Sequence, residues 1–225
     1  DPLWSRGLGD VYKRQQKDYT YDLLELKKNI DSNTVLVIGS APNYNLGLID
    51  PIQELSDICY PRNIGLHVDC CMGAFLVNFS EEIVDFRIEG VTSISTDLHK
   101  YGLTPKGSSV TLYRNRNLLK YQYFIDETWS GGVYATSTIA GSKNGNMVAL
   151  SWATLMFKGL QGYRESYHKI REVTQYLKEK INLIPGLMVY GNPELNIVAI
   201  GSSELNINIL GDRLNKKGWK INMIQ

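Results

Sequence analysis

Three short stretches bring chemically able side chains to the ends of apolar runs. "TVLVIGS" ends on Ser40, "NIGLHVD" ends on Asp69, and "GVTSISTDLHK" ends on His99 and Lys100. In open α/β sheets, ligands sit outside the carboxyl ends of the strands. An acid and a lysine at separate strand ends of one sheet can therefore face one ligand. A lysine amine can attack a carbonyl carbon, and a carboxylate can keep a heterocyclic nitrogen protonated so that its ring draws electrons. Pyridoxal phosphate needs both. The small residues Ser40, Ala41, Gly73 and Ala74 would leave room for a flat ring.

On spacing alone each of these residues also has a plainer reading. Asp69 suits a helix cap or a turn, and Lys100 suits a solvated loop charge. His99 suits a hydrogen-bonded structural histidine, and Cys70 and Cys71 suit small core residues. "PKGSS" places its lysine before the glycine and lacks the spaced glycines of a phosphate loop. Both sets of readings stand at this level.

The elements that must position these groups alternate between strands and helices. Residues 17–30 read as a helix with Leu23, Leu24, Leu26 and Ile30 as its buried positions. "TVLVIG" is apolar without alternation, which suits a strand covered on both faces. "DPIQELSDICY" offers Asp50 as N-cap, Pro51 at the first helical position, and Ile52, Leu55 and Cys59 on one face. "GLHVD", "GVTSISTD" and "SSVTLYRN" read as further strands, so the order predicts βαβ units in a largely parallel sheet. From residue 145 to 181 the period is helical, as one long helix or two, interrupted near Gly159 and Gly162. "LMVYG" and "LNIVAIGS" read as strands, and "SELNINILGDRLNKKG" reads as a helix closed by Gly218. The expected organisation is a non-native leader over 1–15, part of a large domain over 16–159, and the start of a smaller domain over 160–225.

The composition sets bounds. A chain of 225 residues with 43% apolar and 21% charged residues is an ordinary globular one. Its net charge of +1 gives no support to a nucleic-acid-binding surface. Three cysteines, Cys59, Cys70 and Cys71, have neither metal-ligand nor disulfide spacing and favour a reducing compartment. No run approaches the roughly 18 apolar residues of a membrane span, and no signal peptide is visible. Residues 1–15 lack any period and resemble a translated cloning adaptor. With an end that reads as strand or turn, they make the chain an expected fragment.

"LHVDCCMGAF", "GVTSISTDLHKYGLTPKGSS", "WSGGVYATSTIAGSKNG" and "GSAPNYNLGLIDPIQEL" together resemble the pyridoxal-phosphate-dependent group II decarboxylases. Within that family the second and third are most particular to the lyases of phosphorylated long-chain sphingoid bases. The likeness runs from residue 17 almost to the end. It implies an aspartate-aminotransferase-like α/β fold (PLP fold type I). It implies retro-aldol cleavage to a fatty aldehyde and phosphoethanolamine, a step of sphingolipid catabolism. By the same resemblance, Lys100 is the Schiff-base lysine, with its pKa lowered beside a cationic ring. Asp69 is the partner of the pyridine nitrogen, Cys71 packs against the ring, and His99 binds the cofactor phosphate. Gly141 and Ser142 match a segment that reaches the phosphate from a neighbouring subunit, which implies a homodimer with a shared active site. Lys106 and Tyr44 match positions near the substrate's polar head. The resemblance further implies an endoplasmic reticulum membrane protein with a cytosolic catalytic domain, anchored by a segment outside this chain.

Asn45-Leu46 depart from the family's Pro-His at that place, which puts the substrate contact there in doubt. The family's ring-stacking histidine and its glycine-threonine phosphate loop also lie outside this chain, so the fragment alone is expected to be inactive. Two other readings stay open: an amino-acid decarboxylase using the same Lys100 and Asp69, or an inactive protein without cofactor.

Overall fold

The structure, a computed structural model, describes residues 19–223. The leader expected over 1–15 lies outside the described residues. The first helix, α1 (Leu23–Asn29), starts later than its pattern suggests because Asp22 caps it. Asp22 Oδ1 accepts hydrogen bonds from the Leu24 and Glu25 amides at 3.1 and 2.9 Å. Leu23, Leu26 and Ile30 pack against the core. Leu24 does not: it falls on the outer face of the helix and is exposed.

Strands β1 (Leu36–Ser40), β2 (Gly65–Asp69) and β3 (Val91–Thr96) are parallel neighbours. β4 (Val110–Tyr113) closes this sheet antiparallel to β3, so the sheet is mixed. Register aligns Ser40 with Asp69 and Asp69 with Ser95. Ser40 and Asp69 therefore share one edge with the end of β3, which stops at Thr96, so that His99 and Lys100 lie in the turn beyond the strand rather than at its end.

Helix α2 (Ile52–Cys59) covers one face of the sheet with Ile52, Leu55 and Cys59, all buried as its period requires. Gly39 permits this approach: a Cβ there would stand 2.6 Å from Ile52 Cδ1 and 2.9 Å from Leu55 Cδ1. Asp50 is not the N-cap of α2; that position falls to Pro51. Asp50 is buried and holds the end of β1 instead, its Oδ2 accepting from the Ser40 amide at 2.8 Å. On the other face, Leu36 and Ile38 remain exposed among the described residues. The two-sided burial expected of "TVLVIG" is thus met on one side only.

After β2 comes a short helix, α3 (Ala74–Val77). After β4 come α4 (Arg116–Leu119) and a small antiparallel pair, β5 (Phe124–Asp126) with β6 (Tyr134–Thr136). The long helix α5 (Gly145–Asn182) breaks at Gly159, whose φ of 59° and ψ of 173° are not helical. Gly162 lies inside the second segment and interrupts nothing. That segment packs Tyr167 into the same core cluster as the strands, together with Leu195 from a later loop. Strands β7 (Met188–Val189) and β8 (Ile200–Gly201) pair antiparallel, and α6 (Ile207–Lys216) follows. Gly218, at φ 91°, closes α6, with the Trp219 amide returning to the Leu214 carbonyl at 3.0 Å.

Candidate active site

The last residue of β2, Asp69, is fixed by the turn that leaves the strand. Its Oδ1 accepts from the Cys71 amide at 3.0 Å and from Ser95 Oγ on β3 at 3.1 Å. Backbone or hydroxyl donors among the described residues do not engage the other oxygen, Oδ2.

Beyond β3 the chain turns tightly. The Lys100 amide donates to the Asp97 carbonyl, the Thr104 amide to the Leu98 carbonyl, and the His99 amide to the Ser108 carbonyl. Tyr163 Oη, from the second segment of α5, donates to the Gly102 carbonyl at 2.7 Å and pins the turn from behind. Lys100 Nζ emerges 2.9 Å from Asp97 Oδ2, and Asp97 Oδ1 accepts from Ser109 Oγ at 2.6 Å. The Lys100 amine and the Asp69 carboxylate both act electrostatically on the Cys71 thiol, in opposite directions. An amine, a thiol and a carboxylate thus form one interacting group at and just beyond the ends of two neighbouring strands.

For the free Lys100 amine the balance is set by its protein neighbours. Partial burial pulls Lys100 down, but the Asp97 carboxylate and the Cys71 thiol outweigh it and raise the pKa. Burial would push Asp97 up, yet Ser109, Lys100 and His99 together hold its carboxyl below the usual range. Burial drives the Cys71 thiol up, with Lys100 opposing. Cys70 is pushed up to about 12 and Cys59 to about 11, both chiefly by burial. These two thiols stay protonated and serve as core residues.

The sign of the Lys100 shift gives a test. A pKa raised by Asp97 keeps the amine protonated until the pH rises through it. Asp97→Asn removes that negative charge, so the midpoint must fall. Labelling of Lys100 by an amine-selective reagent across pH, read by mass spectrometry, is expected to begin at lower pH in Asp97→Asn than in wild type. An unchanged profile would show that Asp97 does not govern the amine.

The other expected site residues are placed as follows. His99 Nδ1 lies 2.7 Å from the Ser108 carbonyl, so Nδ1–H donates there, while Nε2 faces Asp97 Oδ2 at 3.7 Å. Lys106 is exposed and makes no hydrogen bond or ion pair among the described residues. Tyr44 is exposed, with its hydroxyl accepting from Asn222 Nδ2 at 3.1 Å. Gly141 and Ser142 sit in an exposed loop between β6 and α5, with no hydrogen bond or ion pair to Asp69, His99 or Lys100. At the family's Pro-His place, Asn45 is exposed and Leu46 half-buried, its amide donating to Asn43 Oδ1 at 2.9 Å. The small residues behave differently from expectation. Ala41 is fully buried, and a Cβ on Gly73 would collide with the Ala41 carbonyl, so these two serve close backbone packing rather than an open slot.

Asp97, Ser95 and His67 were not singled out in the sequence. His67 and Ser95 carry a partial signal: polar residues two apart, His67 with Asp69 and Ser93 with Ser95, on neighbouring strands. Among the described residues, no cluster of His, Cys, Asp and Glu could hold a metal ion, and no helix is long and apolar enough to cross a membrane.

The sequence model of the family described as "Pyridoxal-dependent decarboxylase conserved domain" matches residues 17–200. The chain belongs to that family. Its relatives include sphingosine-1-phosphate lyases from Saccharomyces cerevisiae, 45% identical over 92% of this chain and 36% of the relative, and from rice, 42% identical over 93% and 40%. The rat sphingosine-1-phosphate lyase 1 is 40% identical over 97% of this chain and 40% of its own length. The chain therefore spans well under half the length of the curated relatives it matches. Among solved structures, a sphingosine-1-phosphate lyase of Burkholderia pseudomallei superposes with a TM-score of 0.92 at 35% identity, over 98% of this chain and 52% of that one. A Lactobacillus brevis glutamate decarboxylase, at 24% identity and a TM-score of 0.79 over 92% of this chain and 51% of that one, shares the fold. The fold is the α/β PLP fold type I expected from the sequence.

Proposed function

We propose that this chain is the part of a longer sphingosine-1-phosphate lyase that carries the cofactor lysine. One observation supports the reading above the others: Asp69 ends β2, Lys100 lies in the turn that follows the neighbouring parallel strand β3, and the Cys71 thiol feels both. The donor set fits pyridoxal phosphate. An amine meets the aldehyde, an acceptor-only carboxylate meets a protonated ring nitrogen, and an imidazole and hydroxyls stand on the same turn. Lys100 would hold the aldehyde carbon, Asp69 the ring nitrogen, Cys71 the ring face, and His99 with Gly141 and Ser142 the phosphate. Bound there, the cofactor supplies an electron sink for breaking the carbon–carbon bond beside the amine-bearing carbon.

The chain's own residues do the rest. Asp69 holds a negative charge, and the Cys71 amide and Ser95 hydroxyl fix its orientation. Asp97 receives the Lys100 ammonium and keeps it beyond the end of β3 whenever the amine is free. Lys106, exposed on its loop, is available as a compact cation for the substrate phosphate, and Tyr44 flanks the same headgroup.

The wider organisation belongs to the same proposal. Residues 16–159 would form part of the large domain and 160–225 would begin the small one, with the break at Gly159 marking the boundary and Tyr163, Tyr167 and Leu195 packing back onto the large domain. Exposed Leu36 and Ile38 on the sheet, and Ile139, Trp152 and Phe157 around the start of α5, are apolar surface suited to cover by the rest of the lyase and by a second copy. The second copy would complete the site in a homodimer. Membrane association and an endoplasmic reticulum location would come from a segment outside this chain.

Product analysis of the full-length protein tests the reading. Given sphingosine 1-phosphate, it is expected to release phosphoethanolamine and a fatty aldehyde. Given glutamate or an aromatic amino acid, it is expected to release no carbon dioxide. Carbon dioxide from the amino acids, with sphingosine 1-phosphate untouched, would make it a decarboxylase instead.

A further inference from the structure

Strands of a parallel sheet are ordinarily near-continuous apolar runs, yet β2 and β3 carry His67, Ser93 and Ser95 as well as Asp69. The register pairs His67 with Ser93 and Asp69 with Ser95. Because side chains two apart on a strand share a face, all four stand together. Ser93 Oγ lies 2.8 Å from His67 Nδ1, and Ser95 Oγ lies 3.2 Å from His67 Nε2. Ser95 Oγ also lies 3.1 Å from Asp69 Oδ1.

For a neutral imidazole, one proton assignment satisfies every contact. A carboxylate only accepts, so Ser95 gives its single hydroxyl proton to Asp69. Ser95 Oγ must then accept, which puts the imidazole proton on Nε2. Nδ1 is left to accept from the Ser93 hydroxyl. Burial favours this neutral form by lowering the His67 pKa, against the pull of Asp69. The result is a directed chain, Ser93 to His67 to Ser95 to Asp69, with each donor used once.

We propose that His67, acting through Ser95, is a positioning residue for Asp69. It holds the Ser95 hydroxyl in the one rotamer that engages Oδ1, so that Oδ2 is the oxygen presented to the cofactor ring. The inference rests on the reading of Asp69 as partner of the ring nitrogen. Partners one step removed from a ligating group typically change affinity by about 10- to 100-fold when lost.

The test uses the full-length protein, stripped of cofactor and reconstituted with pyridoxal phosphate. Binding is followed by visible absorbance, and folding of the cofactor-free protein by thermal melting. His67→Leu and Ser95→Ala are each expected to weaken cofactor binding about tenfold. The double variant is expected to be no weaker than Ser95→Ala, because His67 acts only through that hydroxyl. His67→Gln, whose amide can still donate to Ser95, is expected to stay within about threefold of wild type.

Losses that multiply in the double variant, or full affinity in His67→Leu, would overturn the proposal. Should His67→Leu not fold, Ser95→Ala against His67→Gln decides alone: equal affinity in the two contradicts it. A wild-type protein that binds no cofactor would sink the assignment of Asp69 and Lys100 first, and this inference with it. Wild-type binding with unaffected variants would sink only the inference.

Discussion

Lys100→Ala is expected to remove the visible absorbance of bound pyridoxal phosphate from the full-length protein. Turnover of sphingosine 1-phosphate should fall by about 10³-fold or more, some 4 kcal/mol of barrier at about 1.36 kcal/mol per factor of ten. The size follows from the proposed role, in which the amine would hold the cofactor and exchange with the substrate's amine, and among the described residues no other lysine acts on the Cys71 thiol. The loss should not come from unfolding. The Lys100 side chain is about a third exposed, and its interactions are the ion pair with Asp97 and the electrostatic pull of Cys71. Pairs so exposed contribute at most about 1 kcal/mol. A variant that melts like wild type yet keeps its absorbance band and turnover would remove Lys100 from the mechanism.

Asp69→Asn is the second large effect. The substitution keeps an oxygen for the Cys71 amide and the Ser95 hydroxyl, so the turn after β2 should survive. What disappears is the negative charge proposed to face the ring nitrogen. Removing one preorganised electrostatic partner of a developing charge costs about 10²- to 10³-fold in turnover. The cofactor, still attached through Lys100, should remain bound and visible. The two variants therefore separate: Lys100→Ala loses the band, and Asp69→Asn keeps it and loses turnover. Steady-state rates and spectra of both proteins, side by side, check this. Normal turnover in Asp69→Asn would leave the carboxylate a turn former and no more.

Much of the scaffold was legible because it depends on local rules. The spacing of Ile52, Leu55 and Cys59 gave the buried face of α2, Gly159 broke the long helix, and Gly218 closed the last one. The strand ends at Ser40 and Asp69 could be read because apolar runs stop there. What escaped depends on neighbours distant in sequence. Asp97 counts because Ser109, twelve residues on, and Lys100 converge on it. His67 counts because the register sets it against Ser93 and Ser95. Asp50 looked like a helix cap on local grounds, but the end of β1 claims its carboxylate. The direction of the free Lys100 amine's pKa depends likewise on the fold, since burial alone lowers it and the partner that reverses the sign lies three residues upstream in a fold-dependent turn. The sites of Lys106, Tyr44, Gly141 and Ser142 rest on family resemblance rather than on contacts within this chain.

Reductive trapping bears most directly on the central claim. Full-length protein saturated with pyridoxal phosphate is treated with borohydride, digested with trypsin and mapped by mass spectrometry. The account predicts the reduced cofactor on Lys100, carried by a peptide spanning residues 88–106 because trypsin no longer cleaves after the modified lysine. Cofactor found on another lysine, or on none, would contradict it.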